Sequence, residues 1–176
     1  RGFYTQRIYR INVNGQMEST PAASNQYMGF VAGGINENGD IAIYGSPVVG
    51  SGRSKVSAWT PGVGVTNLMV QDNGQSYEFQ SYAMNNSHTA IGRAAYTGPD
   101  NSNGTIGKAM YYAPSSSALL NPGSTDGYNM ANDIDEAGGI VGCVNFNPIR
   151  WNPDGSYTTI ALAGHYGVAS SINSSG

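Results

Sequence analysis

Apolar and polar residues alternate in short runs such as Lys55-Val56-Ser57-Ala58-Trp59 and Arg7-Ile8-Tyr9-Arg10-Ile11, the two-residue period of a strand with one face turned inward. No window carries a 3.6-residue apolar period of helical length. The runs are short and are separated by Asn, Gly and Asp, the residues that build hairpin turns. The polar stretches 19–26 and 97–105 read as surface loops.

The strand signals recur. Ile35-Asn36-Glu37-Asn38-Gly39, Met84-Asn85-Asn86-Ser87-His88, Ile134-Asp135-Glu136-Ala137-Gly138 and Ile172-Asn173-Ser174-Ser175-Gly176 each place Asn or Asp after an apolar residue, at spacings of 49, 50 and 38 residues. The first three are followed by a strand-like run. A second element interleaves with them: Trp59, Tyr112 and Trp151, each followed two residues later by Pro61, Pro114 or Pro153, which ends a strand because proline has no amide to donate. A degenerate copy lies near the start of the chain, with Ile11 in the Trp151 position. Each unit therefore reads as four short strands; in the second unit these are SYAMN, TAIGRAAY, GKAMYYA and SALLN.

These periods predict an all-β chain of tandem four-stranded antiparallel units, with the size and strand count of β-propeller blades. A stack or sandwich of the same strands is the competing arrangement. The sequence reads as one repeat domain with approximate units 1–50, 51–100, 101–145 and an incomplete 146–176. The last unit lacks its second strand, so two expectations stand: either the terminal strands meet imperfectly, or the chain is a piece of a longer protein.

Ile35-Asn36-Glu37-Asn38-Gly39-Asp40-Ile41-Ala42 and Ile134-Asp135-Glu136-Ala137-Gly138-Gly139-Ile140-Val141-Gly142 resemble the core of HAF-type extracellular repeats. Val56-Ser57-Ala58-Trp59, Ala109-Met110-Tyr111-Tyr112 and Pro148-Ile149-Arg150-Trp151 stand where that family has a strand ending in an aromatic. The second unit departs from the pattern, with Ser87 and His88 in place of the turn glycine. The resemblance implies an exported, propeller-like repeat protein with no enzymatic consensus.

Composition narrows the function. Charged residues make up 11% of the chain, against roughly 25% in an average globular protein, and the net charge is -3. Solubility then rests on uncharged amides and hydroxyls, which favours a secreted or cell-surface setting. The scattered cations form no run that would neutralise a phosphate backbone, so nucleic acid is not an expected partner. The single cysteine, Cys143, rules out an intrachain disulfide and reads as an inert strand residue. No stretch of about 18 apolar residues spells a transmembrane helix.

Candidate chemistry is sparse. Asp133, Asp135 and Glu136 form the densest acidic group; an Asp pair on one strand face would suit a hard cation or acid/base work in a glycan-cleaving enzyme. Asp135, however, shares its repeat slot with Asn36, Asn85 and Asn173, the exchange expected of a turn cap. Asn36–Asp40 and Asn152–Gly155 lack the full ligand series of a calcium loop. His88 and His165 have no Gly-x-Ser-x-Gly partner, and Gly62-Val63-Gly64 is a turn rather than a phosphate loop. No catalytic, metal or cofactor set emerges. Asn85, Asn103 and Asn173 begin N-glycosylation sequons.

Among the aromatics, those of the third strand suit packing. Tyr77, Tyr82, Tyr128 and Tyr166, with His165, are candidates for surface recognition, since tyrosine offers a flat face with a hydrogen-bonding tip. The resulting expectation is a non-catalytic extracellular scaffold that binds a surface glycan or assembles with protein chains, including its own through exposed strand edges. A secreted carbohydrate-active enzyme or a lectin-like module is the alternative.

Overall fold

The structure is a computed structural model that describes residues 7–20, 27–47, 55–68, 76–97, 105–121, 127–161 and 164–175; the side chains of 27–30, 46–47, 76–78, 96–97 and 105–106 lie outside that description. Strands β1 (Tyr9–Ile11) and β2 (Met17–Ser19) form a hairpin. Three four-stranded sheets follow. The first holds β3 (Tyr27–Ile35), β4 (Ile41–Pro47), β5 (Lys55–Thr60) and β6 (Gly64–Asn67). The second holds β7 (Ser76–Met84), β8 (Ala90–Thr97), β9 (Thr105–Tyr112) and β10 (Ser117–Leu119). The third holds β11 (Asn129–Ile134), β12 (Ile140–Val144), β13 (Asn147–Trp151) and β14 (Tyr157–Thr159). Each is an antiparallel meander of sequence neighbours, and no helix occurs among the described residues. The all-β reading with four-stranded units therefore holds. The sheets are open: no strand pairing among the described residues joins β1–β2 to the third sheet.

One set of slots is used again in each unit. Across the second and third strands, Trp59 faces Ile41, Tyr112 faces Ala90 and Trp151 faces Ile140. Beyond the strand ends, a fourth-strand amide meets a third-strand carbonyl at Leu68–Val56, Leu120–Ala109 and Ile160–Pro148. The amide of Thr20 meets the carbonyl of Ile8 in the same way, so β1–β2 is the third and fourth strand of a unit whose aromatic slot holds Ile11.

The turn between first and second strands explains the Asn/Asp period. Oδ1 of Asn36, Asn85 and Asp135 accepts the backbone amide four residues on, from Asp40, Thr89 and Gly139, at 2.7–3.0 Å. A backbone bond also runs from the residue three on back to the cap carbonyl, closing a three-residue loop that needs a left-handed third residue. Gly39 and Gly138 meet this need at φ 80 and 89°, and His88 meets it at φ 59°. The caps also join units: the Asn36 amide donates to the carbonyl of Asn85, and that of Asn85 to the carbonyl of Asp135.

The core lies between the sheets. Ala42, Val56, Ala58 and Leu68 of the first sheet pack on Met84, Ala90, Met110 and Tyr112 of the second. Ile91 and Ala109 of the second meet Ile134, Ile140, Ile149 and Trp151 of the third, and Ile8 of the hairpin meets Ile41, Ile43 and Trp59. The first and second sheets thus bury both faces, which is why their strands are less strictly alternating than a half-exposed sheet requires. Burial of one such side chain contributes about 1.5–3 kcal/mol.

Candidate recognition surface

A meander places its first–second and third–fourth turns at one end of each sheet and its second–third loops at the other. The first end is repetitive and internally bonded. The other end varies: residues 48–54 and 98–104 separate second and third strands in two units, while the third unit turns in two residues, Asn145-Phe146. Loops set on a rigid sheet are the usual place for recognition.

The predicted acidic group sits at the repetitive end, and each member has a separate structural partner. Asp135 is buried and caps its turn. Asp133 Oδ2 accepts from the Ser171 hydroxyl and the Ile172 amide, holding the segment 164–175 beside β11, while its Oδ1 accepts the Ile134 amide. Glu136 accepts the backbone amide of Asn86 in the preceding unit. Among the described residues no three His, Cys, Asp or Glu side chains group as metal ligands. His88 is likewise occupied, its Nε2 lying 2.7 Å from Asp40 Oδ2. The Asn85 amide is buried and bonded to the next unit, so this sequon is closed to a glycan; Asn173 is exposed, and Asn103 lies outside the described residues.

The tyrosines divide. Tyr82 is half-buried against the core between the second and third sheets, and its hydroxyl donates to Gln80 Oε1 at 2.8 Å. Tyr77 has its backbone in β7, with its side chain outside the described part. Tyr128, His165 and Tyr166 are exposed at the variable end of the third unit. Tyr128 stacks on Phe146, ring centres 4.5 Å apart and planes 7° from parallel. Both rings keep open surface, at 40% and 49% exposure. On the other flank, the Gly167 amide donates to the Phe146 carbonyl at 2.7 Å, placing Tyr166, itself 80% exposed, next to the same turn. Tyr128 and Tyr166 each stand seven residues before a repeat residue, Asp135 and Asn173, so the two occupy one slot of the sequence repeat.

Phe146 escaped the sequence reading. Asn145 and Phe146 both have positive φ, 50 and 62°, the signature of a type I′ hairpin turn. Glycine is usual at the second position, and a bulky residue there is strained. The phenyl ring lies on the surface. The neighbouring Asn145 and Asn147 side chains are exposed, and Asn147 donates to the carbonyls of Val144 and Asn145. The signal available in the sequence was a phenylalanine between two asparagines where the other units have seven residues between the second and third strands.

Beneath this surface, Cys143 is fully buried in β12, and burial pushes its thiol above the ordinary cysteine range. That is the setting of an unreactive thiol. No helix among the described residues is long and apolar enough to cross a membrane. A scan against protein-family models and searches of curated proteins and of solved structures find no match.

Proposed function

We infer that the chain is a non-catalytic, exported repeat scaffold that recognises a neutral glycan through Tyr128, Phe146 and Tyr166. The observation that carries this reading is the exposed Tyr128–Phe146 stack, held by a phenylalanine in a left-handed turn where glycine would be relaxed. Strain kept at a surface loop calls for a use of the side chain. An aromatic face flanked by amide groups suits the apolar face and hydroxyl rim of a sugar ring, and the chain's low content of charged residues, 11%, favours a neutral sugar over an acidic one. The low overall charge and the resemblance to HAF-type repeats support an extracellular setting. The enzyme alternative loses its motivation, since Asp133, Asp135 and Glu136 are each committed to backbone or hydroxyl donors.

The test is binding to an array of neutral and acidic oligosaccharides, followed by titration with Phe146→Gly and Tyr166→Ala. Phe146→Gly installs the residue that the turn favours, so the fold holds while the ring is lost. A neutral glycan bound by the native chain, with affinity reduced about tenfold or more in both variants, supports the reading. Absence of glycan binding, or binding indifferent to both changes, overturns it.

A further inference from the structure

Two residues before the turn caps stand Gly34, Ala83 and Asp133. In the first two units this is a packing slot: Gly34 lies against the backbone of Tyr82 and Ala83, and Ala83 packs on the core between the second and third sheets. The third unit places a hydrogen-bonding side chain there instead. Asp133 follows a bulge at which Asn132 has no partner across β12, and a bulge re-aims the side chains beside it. Both Asn132 and Asp133 reach the segment 164–175.

That segment is held by hydrogen bonds more than by packing. It forms no strand, none of residues 164–175 is buried, and Val168 is 43% exposed. A cleft of about 410 Å³ opens where Ala169, Ser171 and Ile172 come beside Val141, Arg150 and Ile160, so apolar contact fastens it weakly. The Gly167 amide donates to the Phe146 carbonyl at 2.7 Å, the Ala169 amide to the Gly142 carbonyl at 3.2 Å, and the Asn132 amide to the Ala169 carbonyl at 2.9 Å. Asp133 Oδ2 accepts the Ser171 hydroxyl at 3.0 Å and the Ile172 amide at 2.9 Å. Of these acceptors only Asp133 carries a charge, and a charge-assisted bond is about twice as strong as a neutral one.

We propose that Asp133 is a positioning residue for recognition: its carboxylate latches the segment 164–175 onto β11 and thereby fixes Tyr166 beside the Tyr128–Phe146 stack. The proposal rests on the glycan reading for its ligand, while the latch rests on the bonds and exposures of the segment alone. Gly167 and Ser171 stand four residues apart with no buried side chain between them, so freedom gained at Ser171 passes along the segment to Gly167 and Tyr166. With the latch closed, Tyr166 is ordered before a ligand arrives, and binding costs less conformational freedom. With it open, the Tyr128–Phe146 stack persists and the third ring is no longer held.

Ser171→Asp tests the latch without touching the sheet. Ser171 is exposed, so the fold holds, while its hydroxyl donor is lost and a second carboxylate is set against the first. Amide exchange followed by NMR in the free protein is expected to quicken about tenfold or more at Gly167 and Ala169, and to stay unchanged at Ile134 and Gly139. Adding Asp133→Asn to Ser171→Asp restores the bond in the reverse direction, amide to carboxylate, and is expected to return most of the protection. Affinity for the neutral oligosaccharide that binds the native chain most tightly should fall in Ser171→Asp about as far as in Tyr166→Ala and recover in the double variant. Gly167 exchange indifferent to Ser171→Asp overturns the latch. Faster Gly167 exchange with unchanged oligosaccharide affinity overturns its link to recognition. Exchange is read without ligand, so it decides the latch even where the glycan reading fails.

Discussion

His88 Nε2 lies 2.7 Å from Asp40 Oδ2, so the residue that replaces the turn glycine of one unit is bonded to the turn of the unit before it. Asp40 is buried, and its carboxylate also takes the Asn36 amide at 3.3 Å. Burial alone would raise its pKa, but the bonds from His88, Asn36 and Thr60 together outweigh burial and hold the group below the ordinary aspartate range.

A depressed carboxylate stabilises the fold above its unfolded pKa, about 3.9, and that contribution fades as pH falls through the lower folded value. Thermal melts between pH 7 and pH 2 should show the Tm falling most steeply below about pH 4. Asp40→Asn should have a lower Tm at pH 7 and a shallower acid limb. An unchanged acid limb in Asp40→Asn would remove Asp40 from the account.

At His88 two effects oppose each other. A left-handed backbone costs a residue with a Cβ about 1 kcal/mol, and the bond to Asp40 returns a similar amount. His88→Gly is therefore expected to be within about 1 kcal/mol of the native chain, whereas His88→Ala keeps the strain without the bond and loses about 1–2 kcal/mol. Urea unfolding of the two variants gives the order; alanine proving the more stable would contradict it.

The aromatic slot yields a paired prediction. Trp151→Ala should cost about 3–5 kcal/mol because its ring is buried between sheets, while Ile11→Ala in the equivalent slot should stay within about 0.5 kcal/mol in the dilute chain. Chemical denaturation at low protein concentration measures both. Equal losses would mean that the slots are not equivalent in environment.

Close approach of first strands makes a further distinction among glycines. A Cβ on Gly34 would lie 2.7 Å from the Tyr82 carbonyl oxygen and 2.8 Å from the Ala83 Cα, both backbone atoms of the neighbouring unit. A Cβ on Gly62, at φ 76°, would meet nothing within 4 Å. Gly34→Ala is expected to cost about 2–3 kcal/mol and to loosen amide protection in β3 and β7, against about 1 kcal/mol for Gly62→Ala. Hydrogen exchange on the two variants separates interface damage from local turn strain.

Strand identity, the four-strand unit and the capping role of Asn36, Asn85 and Asp135 were determined by the sequence itself, because each depends on a few adjacent residues. A period of two makes a strand, and an Asn or Asp followed by a left-handed residue closes the hairpin. The tertiary structure decided which aromatics are buried and which are available. Tyr82 and Tyr128 look alike in the chain, yet one packs between sheets and the other stacks in the open on Phe146. It also decided that His88 answers Asp40 across 48 residues and that Tyr128 and Tyr166 flank one turn. These relationships arise from one sheet lying against the next. Local spacing holds no record of such contacts, because the side chains that meet come from separate repeats and do so only once both sheets have formed.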